Sequence, residues 1–197
     1  MKTARVSALT AVVAVLSLAA AQAAEVKVEG LHICCPTCVT DIEKALTGID
    51  GVPNVASSKD TKIATFEASD QKAAEAGVKA LAGAGLHGTA TYEGKEIAMP
   101  DSGFKDGKEK DMTIHNVYMC CKGCIGEVTK AVQAVEGVDS AAADQKARTL
   151  TVKAKGGSKE GFDQKAVIAA LNKAGFHGTE RSGKEPARER KSEKKEN

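Results

Sequence analysis

The chain predicts an α+β protein made of two units, each running strand, helix, strand, strand, helix, strand. Three observations carry that prediction. The sequence repeats itself: Val26 to Val52 lies over Met112 to Val138 without a gap, and Ala84-Gly85-Leu86-His87-Gly88-Thr89 lies over Ala174-Gly175-Phe176-His177-Gly178-Thr179. Within each copy, period-2 and period-3.6 apolar patterns alternate in the same order. All six cysteines fall into two C-C-x-x-C motifs 86 positions apart, Cys34-Cys35-Pro36-Thr37-Cys38 and Cys120-Cys121-Lys122-Gly123-Cys124.

Taken in order, the elements follow from local chemistry. Met1 to Arg5 is a short basic start, Val6 to Ala20 an apolar run, and Ala21-Gln22-Ala23 a small-x-small cleavage pattern. The run is shorter than the ~20 residues of a membrane span. Residues 1–23 therefore read as a cleaved export signal. The mature protein is expected to be secreted, in the periplasm, with no stable membrane insertion.

The first copy occupies 25–93. Val26 and Val28 alternate as in a half-buried strand, and Val39, Ile42, Ala45 and Leu46 have helical spacing up to a stop near Gly51. Strands follow near Val52–Ser58 and Ile63–Phe66, then a helix over Lys72–Ala82 and a strand from Leu86. The second copy, 111–181, repeats this with Met112 and Ile114, a helix through Ile125, Val128 and Val132, strands near Val138–Ala143 and Thr149–Val152, a helix over Gln164–Lys173 and a strand from Phe176. A β-α-β-β-α-β unit of about 70 residues is the split βαβ, or ferredoxin-like, arrangement: a four-stranded antiparallel sheet covered on one face by two helices.

Residues 94–110, with Pro100, Gly103, Gly107 and a cluster of charges, read as a mobile linker. Residues 182–197 are almost all charged or polar and read as a disordered tail. The net charge of +2 and the two Tyr, four Phe and no Trp give no electrostatic or stacking platform for nucleic acid.

In this order of elements the motif lies in the loop after the first strand and enters the first turn of the helix. Free backbone N–H groups and the helix dipole favour thiolates there. The spacing of Cys35 with Cys38, and of Cys121 with Cys124, brings two sulfurs to one point. Such pairs select soft or borderline ions: Cu(I), Zn(II), and also Hg(II).

Both copies resemble the heavy-metal-associated domain of copper metallochaperones, the mercury-binding periplasmic protein and the N-terminal tails of metal-transporting ATPases. That family's motif is G-M-x-C-x-x-C followed by an apolar residue four positions on. Cys35, Cys38 and Ile42, and Cys121, Cys124 and Val128, take those places. Met119 matches the family's buried methionine, with Ile33 in its place in the first copy.

There are three departures. His32 and Tyr118 replace the glycine, Cys34 and Cys120 fill the variable position, and the first strand changes parity between Val28 and Leu31, which a bulge or lengthened metal loop would produce. The resemblance implies Cys35, Cys38, Cys121 and Cys124 as metal ligands, with Cys34 and Cys120 as third sulfurs or as oxidation partners. It also brings His87 and His177 beside the metal loops, as fourth ligands or merely as turn residues. His32 and His115, which are not repeated, are expected on the surface or in packing.

The function expected is binding without catalysis: a carrier, scavenger or buffer for Cu(I), with Zn(II) or another soft ion as alternative. It would exchange the ion with a metal-transporting membrane protein or another carrier. The competing reading is thiol–disulfide exchange, to which Cys35-Pro36-Thr37-Cys38 is suited. Against that stand Lys122-Gly123 in the second motif and the lack of a thioredoxin order of elements. Structural zinc or disulfide staples form a third reading.

Overall fold

The computed structural model describes residues 23–156 and 161–180. The export signal, apart from its last residue, and the charged tail lie outside the described residues. The first half contains β1 (Ala24–Glu29), α1 (Pro36–Leu46), β2 (Ala56–Ser58), β3 (Ile63–Ala68), α2 (Gln71–Gly83), β4 (Thr89–Tyr92) and β5 (Lys95–Ile97). They form one antiparallel sheet in the order β2-β3-β1-β4-β5. The second half contains β6 (Lys108–Glu109), β7 (Asp111–Ile114), α3 (Lys122–Gln133), β8 (Val138–Asp144), β9 (Thr149–Ala154), β10 (Phe162–Asp163) and α4 (Gln164–Lys173). Its main sheet has the order β7-β9-β8, and β10 pairs with β6.

The apolar alternation places the core. Val26 faces Phe66 and Val28 faces Ala64 across β1 and β3, and Met112 faces Val152 and Ile114 faces Leu150 across β7 and β9. All of these are buried. Onto these surfaces α1 lays Cys38, Ile42 and Leu46, and α3 lays Cys124, Val128 and Val132, each set spaced by four residues as one helical face requires.

Three differences from the sequence expectation, and the parity change it noted, have physical causes. The strand expected over Val52–Ser58 is cut to Ala56–Ser58, because Pro53 has no N–H to give a ladder and Asn54 sits at φ 52°. The stretch 94–110 is no free linker: β5 extends the first sheet, β6 pairs with β10, and Ile97 and Phe104 are buried. Such apolar anchors outweigh the turn residues around them. The strand expected from Phe176 is reduced, among the described residues, to two single bridges, Leu86 with Phe176 and His115 with Thr179. The parity change in the first strand is a lengthened loop. Gly30 (φ 78°) and Asn116 (φ 60°) turn the chain out of β1 and β7, so Leu31 and Ile33, and Val117 and Met119, are buried after a break in the strand.

The halves meet through corresponding residues. His87 N–H donates to Gly175 O (3.1 Å) and His177 N–H to Gly85 O (2.9 Å). The same two carbonyls accept from the metal-loop amides of His32 (3.3 Å) and Tyr118 (3.4 Å). Asn116 adds a bond to the end of α2 through Gly83 O (2.9 Å), and Arg148 reaches Ala84 O (2.5 Å). Both Gly85 and Gly175 have φ +87°. A Cβ on Gly85 would press on Asn116 O and Tyr118 N, and one on Gly175 on His32 N and Gly30 O. Only glycine supplies that dihedral and that approach together.

Gly175→Ala is therefore expected to destabilise the protein by about 2 kcal/mol or more, from left-handed strain and the backbone clash. Gly83→Ala, with nothing within 4 Å of the new methyl, should change stability little. Urea unfolding of the two variants checks the contrast.

Candidate metal centre

Docking of the halves brings the starts of α1 and α3 together. Those two helices begin unlike the other two. Asp70 caps α2 by accepting from Ala73 N–H (2.8 Å), and Asp163 caps α4 by accepting from Ala166 N–H (2.9 Å). The cap positions of α1 and α3 are Cys35 and Cys121, whose side chains make no cap hydrogen bond. The first-turn amides of α1 and α3 are left to act on sulfur.

All six thiols are free, and they converge. Within the first loop, Cys34 Sγ lies 3.6 Å from Cys38 Sγ, and Cys35 Sγ 3.7 Å from Cys38 Sγ. Within the second, Cys120 lies 3.5 Å and Cys121 3.8 Å from Cys124. The remaining contacts cross between the halves. Cys34 reaches Cys121 (3.6 Å) and Cys124 (3.7 Å), while Cys120 reaches Cys35 and Cys38 (3.5 Å each). The thiols form two groups of four, Cys34-Cys35-Cys38-Cys120 and Cys34-Cys120-Cys121-Cys124. In each group the sulfurs lie within 4.8 Å of one another.

These separations fit tetrahedral better than linear two-sulfur coordination. With a metal–sulfur bond of about 2.3 Å, a tetrahedral ion needs sulfurs about 3.8 Å apart and a linear two-sulfur ion about 4.6 Å. The Cys35–Cys38 and Cys121–Cys124 pairs, at 3.7 and 3.8 Å, match the tetrahedral edge.

The electrostatics divide the thiols by position. The Cys38 amide donates to Cys35 O (3.0 Å) rather than to its sulfur. The field of that amide still outweighs burial and lowers the Cys35 thiol to about 6. The Cys124 amide lowers Cys121 in the same way. Burial, followed by the neighbouring thiols, pushes Cys34 far up. Burial likewise raises Cys120, and it raises Cys124. Cys35 and Cys121 are thus the thiols held below the ordinary cysteine range.

The histidines lie elsewhere in the interface. Neither four-thiol group includes one. His87 and His177 stack on each other, ring centroids 5.9 Å apart and planes within 2°. The Nδ1 atoms of both are buried and find no hydrogen-bond partner. Burial lowers both rings below the ordinary 6.5, His177 to about 4 with His87 adding to the effect and Asp101 opposing it. His32 packs on Phe176 of the other half (4.2 Å between centroids), and Tyr118 Oη donates to Asp41 Oδ2 of the other half (2.9 Å). Both replace the glycine of the heavy-metal-associated motif, and both serve the interface. Sequence reasoning missed Asp41, Asn116, Gly85 and Gly175 as positioning residues. The A-G-[LF]-H-G-T match was the available signal for the two glycines.

Residues 114–177 match the profile of the heavy-metal-associated domain. No curated protein matches the chain. Among solved structures, one described as "Crosstalk between Cu(I) and Zn(II) homeostasis" is 19% identical, covers 36% of this chain and 96% of its own, and superposes at a TM-score of 0.29. The N-terminal soluble domains of Bacillus subtilis CopA are 17% identical, over 80% of this chain and 93% of theirs, at 0.29. The water-soluble region of the P-type ATPase CopA from Bacillus subtilis is 17% identical, over 82% and 93%, at 0.27.

Two measurements follow. In the reduced, metal-free protein, alkylation of Cys35 by iodoacetamide should rise with a midpoint near pH 6, while Cys34 and Cys120 stay unreactive well above neutral pH. Peptide mapping across pH reads this directly.

The histidine pair sets a second dependence. Unfolded His177 takes up a proton between pH 6.5 and about 4 that the folded ring refuses, and burial shifts His87 in the same direction. Stability should be complete above pH 6.5, fall as pH drops toward 4 and level off below. His177 contributes on the order of 3 kcal/mol to that fall, and His177→Gln should flatten it in denaturant titrations at graded pH.

Proposed function

We propose that this chain is an exported soft-metal-binding protein, a carrier or buffer that holds thiophilic ions such as Cu(I) or Zn(II) on its C-C-x-x-C loops. Its halves are read as two copies of a heavy-metal-associated, ferredoxin-like unit. The observation that carries the reading is the convergence of six free thiols at the starts of two helices. The six sulfurs lie against one another across the two loops, and two positive helix ends face them. Soft and borderline ions are what such a donor set selects.

Binding suffices for this role, and no catalytic group is required. Cys34 is exposed, and a cleft of about 550 Å³ beside it is lined by His32, Cys34, Lys62, Gly123, Glu127 and Lys173. An incoming ligand from a transporter or second carrier would meet the thiols at that edge. The matched domain in residues 114–177 supports metal as the cargo.

The test is a titration of the anaerobically reduced, mature protein with Cu(I) and with Zn(II) against a competing chelator. Tight binding is expected. It should be lost when Cys35, Cys38, Cys121 and Cys124 are all replaced by serine. Disulfide reductase activity without affinity for either ion would establish the thiol-exchange reading instead.

A further inference from the structure

We infer that the six thiols form one dinuclear centre, in which Cys34 and Cys120 each bridge two divalent thiophilic ions of the zinc class. This rests on the metal-binding reading above and goes beyond it in stoichiometry, coordination and the role of each sulfur. A pair of independent C-C-x-x-C loops would hold three sulfurs each and share none.

The geometry argues for sharing. The two four-thiol groups overlap only in Cys34 and Cys120. That is the topology of two tetrahedra joined along an edge, with Cys35 and Cys38 completing one and Cys121 and Cys124 the other. Eight sulfur contacts of 3.5–3.8 Å lie close to the tetrahedral edge of about 3.8 Å, and the shared edge from Cys34 to Cys120 lies within 4.8 Å. Cys34 lies beside the C-x-x-C pair of the opposite half, and Cys120 does the same in return. Each loop thus contributes two terminal sulfurs to its own ion and one sulfur to both.

Six sulfurs give two tetrahedral ions only if two sulfurs are shared; a single ion would leave two thiols idle. All six S–H bonds release their protons. Each shared sulfur makes two metal–sulfur bonds and each of the others makes one. Two divalent ions against six thiolates leave a charge of −2, at a place faced by the positive ends of α1 and α3. No electron is transferred. Each ion is ligated from both halves, so loading the centre ties α1 to α3.

Cadmium-113 is the probe, added to the reduced full chain and read by cadmium NMR together with the bound-ion count. The expected result is two ions per chain, with two resonances in the all-sulfur range that split each other through the shared sulfurs. Cys34→Ser, a change in the first half, should move both resonances, including that of the ion on Cys121 and Cys124. Cys35→Ser/Cys38→Ser should leave one ion on the remaining four sulfurs.

A single ion in the wild-type chain, or two with no mutual coupling, would overturn the dinuclear centre and leave the metal-binding reading standing. So would a Cys34→Ser variant with an unmoved second-half resonance. The absence of any binding by cadmium, zinc or Cu(I) would bring down both readings. The wild-type coupling needs no variant to fold.

Discussion

Backbone contact at Gly85 and Gly175 is the constraint from which the rest of this structure follows. Each glycine, in a left-handed turn, offers a carbonyl that accepts from two amides of the other half. One of those amides belongs to a histidine turn and the other to a metal loop. The same contact therefore stacks His87 on His177 and fixes the register of Cys34 against Cys120. A methyl group at either position would push the loops apart. The thiol contacts of 3.5–3.7 Å between the two loops tolerate no such displacement.

The two kinds of helix start show a division of labour. α2 and α4 close their first turns with Asp70 and Asp163 and need nothing further. α1 and α3 present cysteine at the same position and leave their amides to the sulfurs. This costs local helix stability, since an uncapped N-terminus lacks about 1 kcal/mol that Asp would supply. The return is a pair of low-pKa thiols, Cys35 and Cys121, beside two more basic ones, Cys34 and Cys120.

Much of the fold was legible in the chain because it follows from short-range chemistry. The alternation of Val26 and Val28, the four-residue spacing of Cys38, Ile42 and Leu46, and the stop at Gly51 each express a local period. Elements failed where one residue's backbone chemistry overrode the pattern, as Pro53 and Asn54 did for β2. They failed too where buried side chains outside the repeat found a surface, as Ile97 and Phe104 did in the stretch read as a linker.

The candidate site divides along the same line. The sequence by itself determined which atoms are available: six thiols at two helix starts, in a spacing that brings Cys35 to Cys38 and Cys121 to Cys124. It also marked His87 and His177 as equivalent to each other. Only the tertiary structure decided that the histidines pair with one another while the thiols gather without them, and that Cys34 and Cys120 cross to the opposite loop. The physical reason is range. A C-x-x-C spacing fixes distances over one helical turn, whereas the separation of Cys34 from Cys121 depends on how two surfaces pack, through Gly85, Gly175, Asn116 and Tyr118.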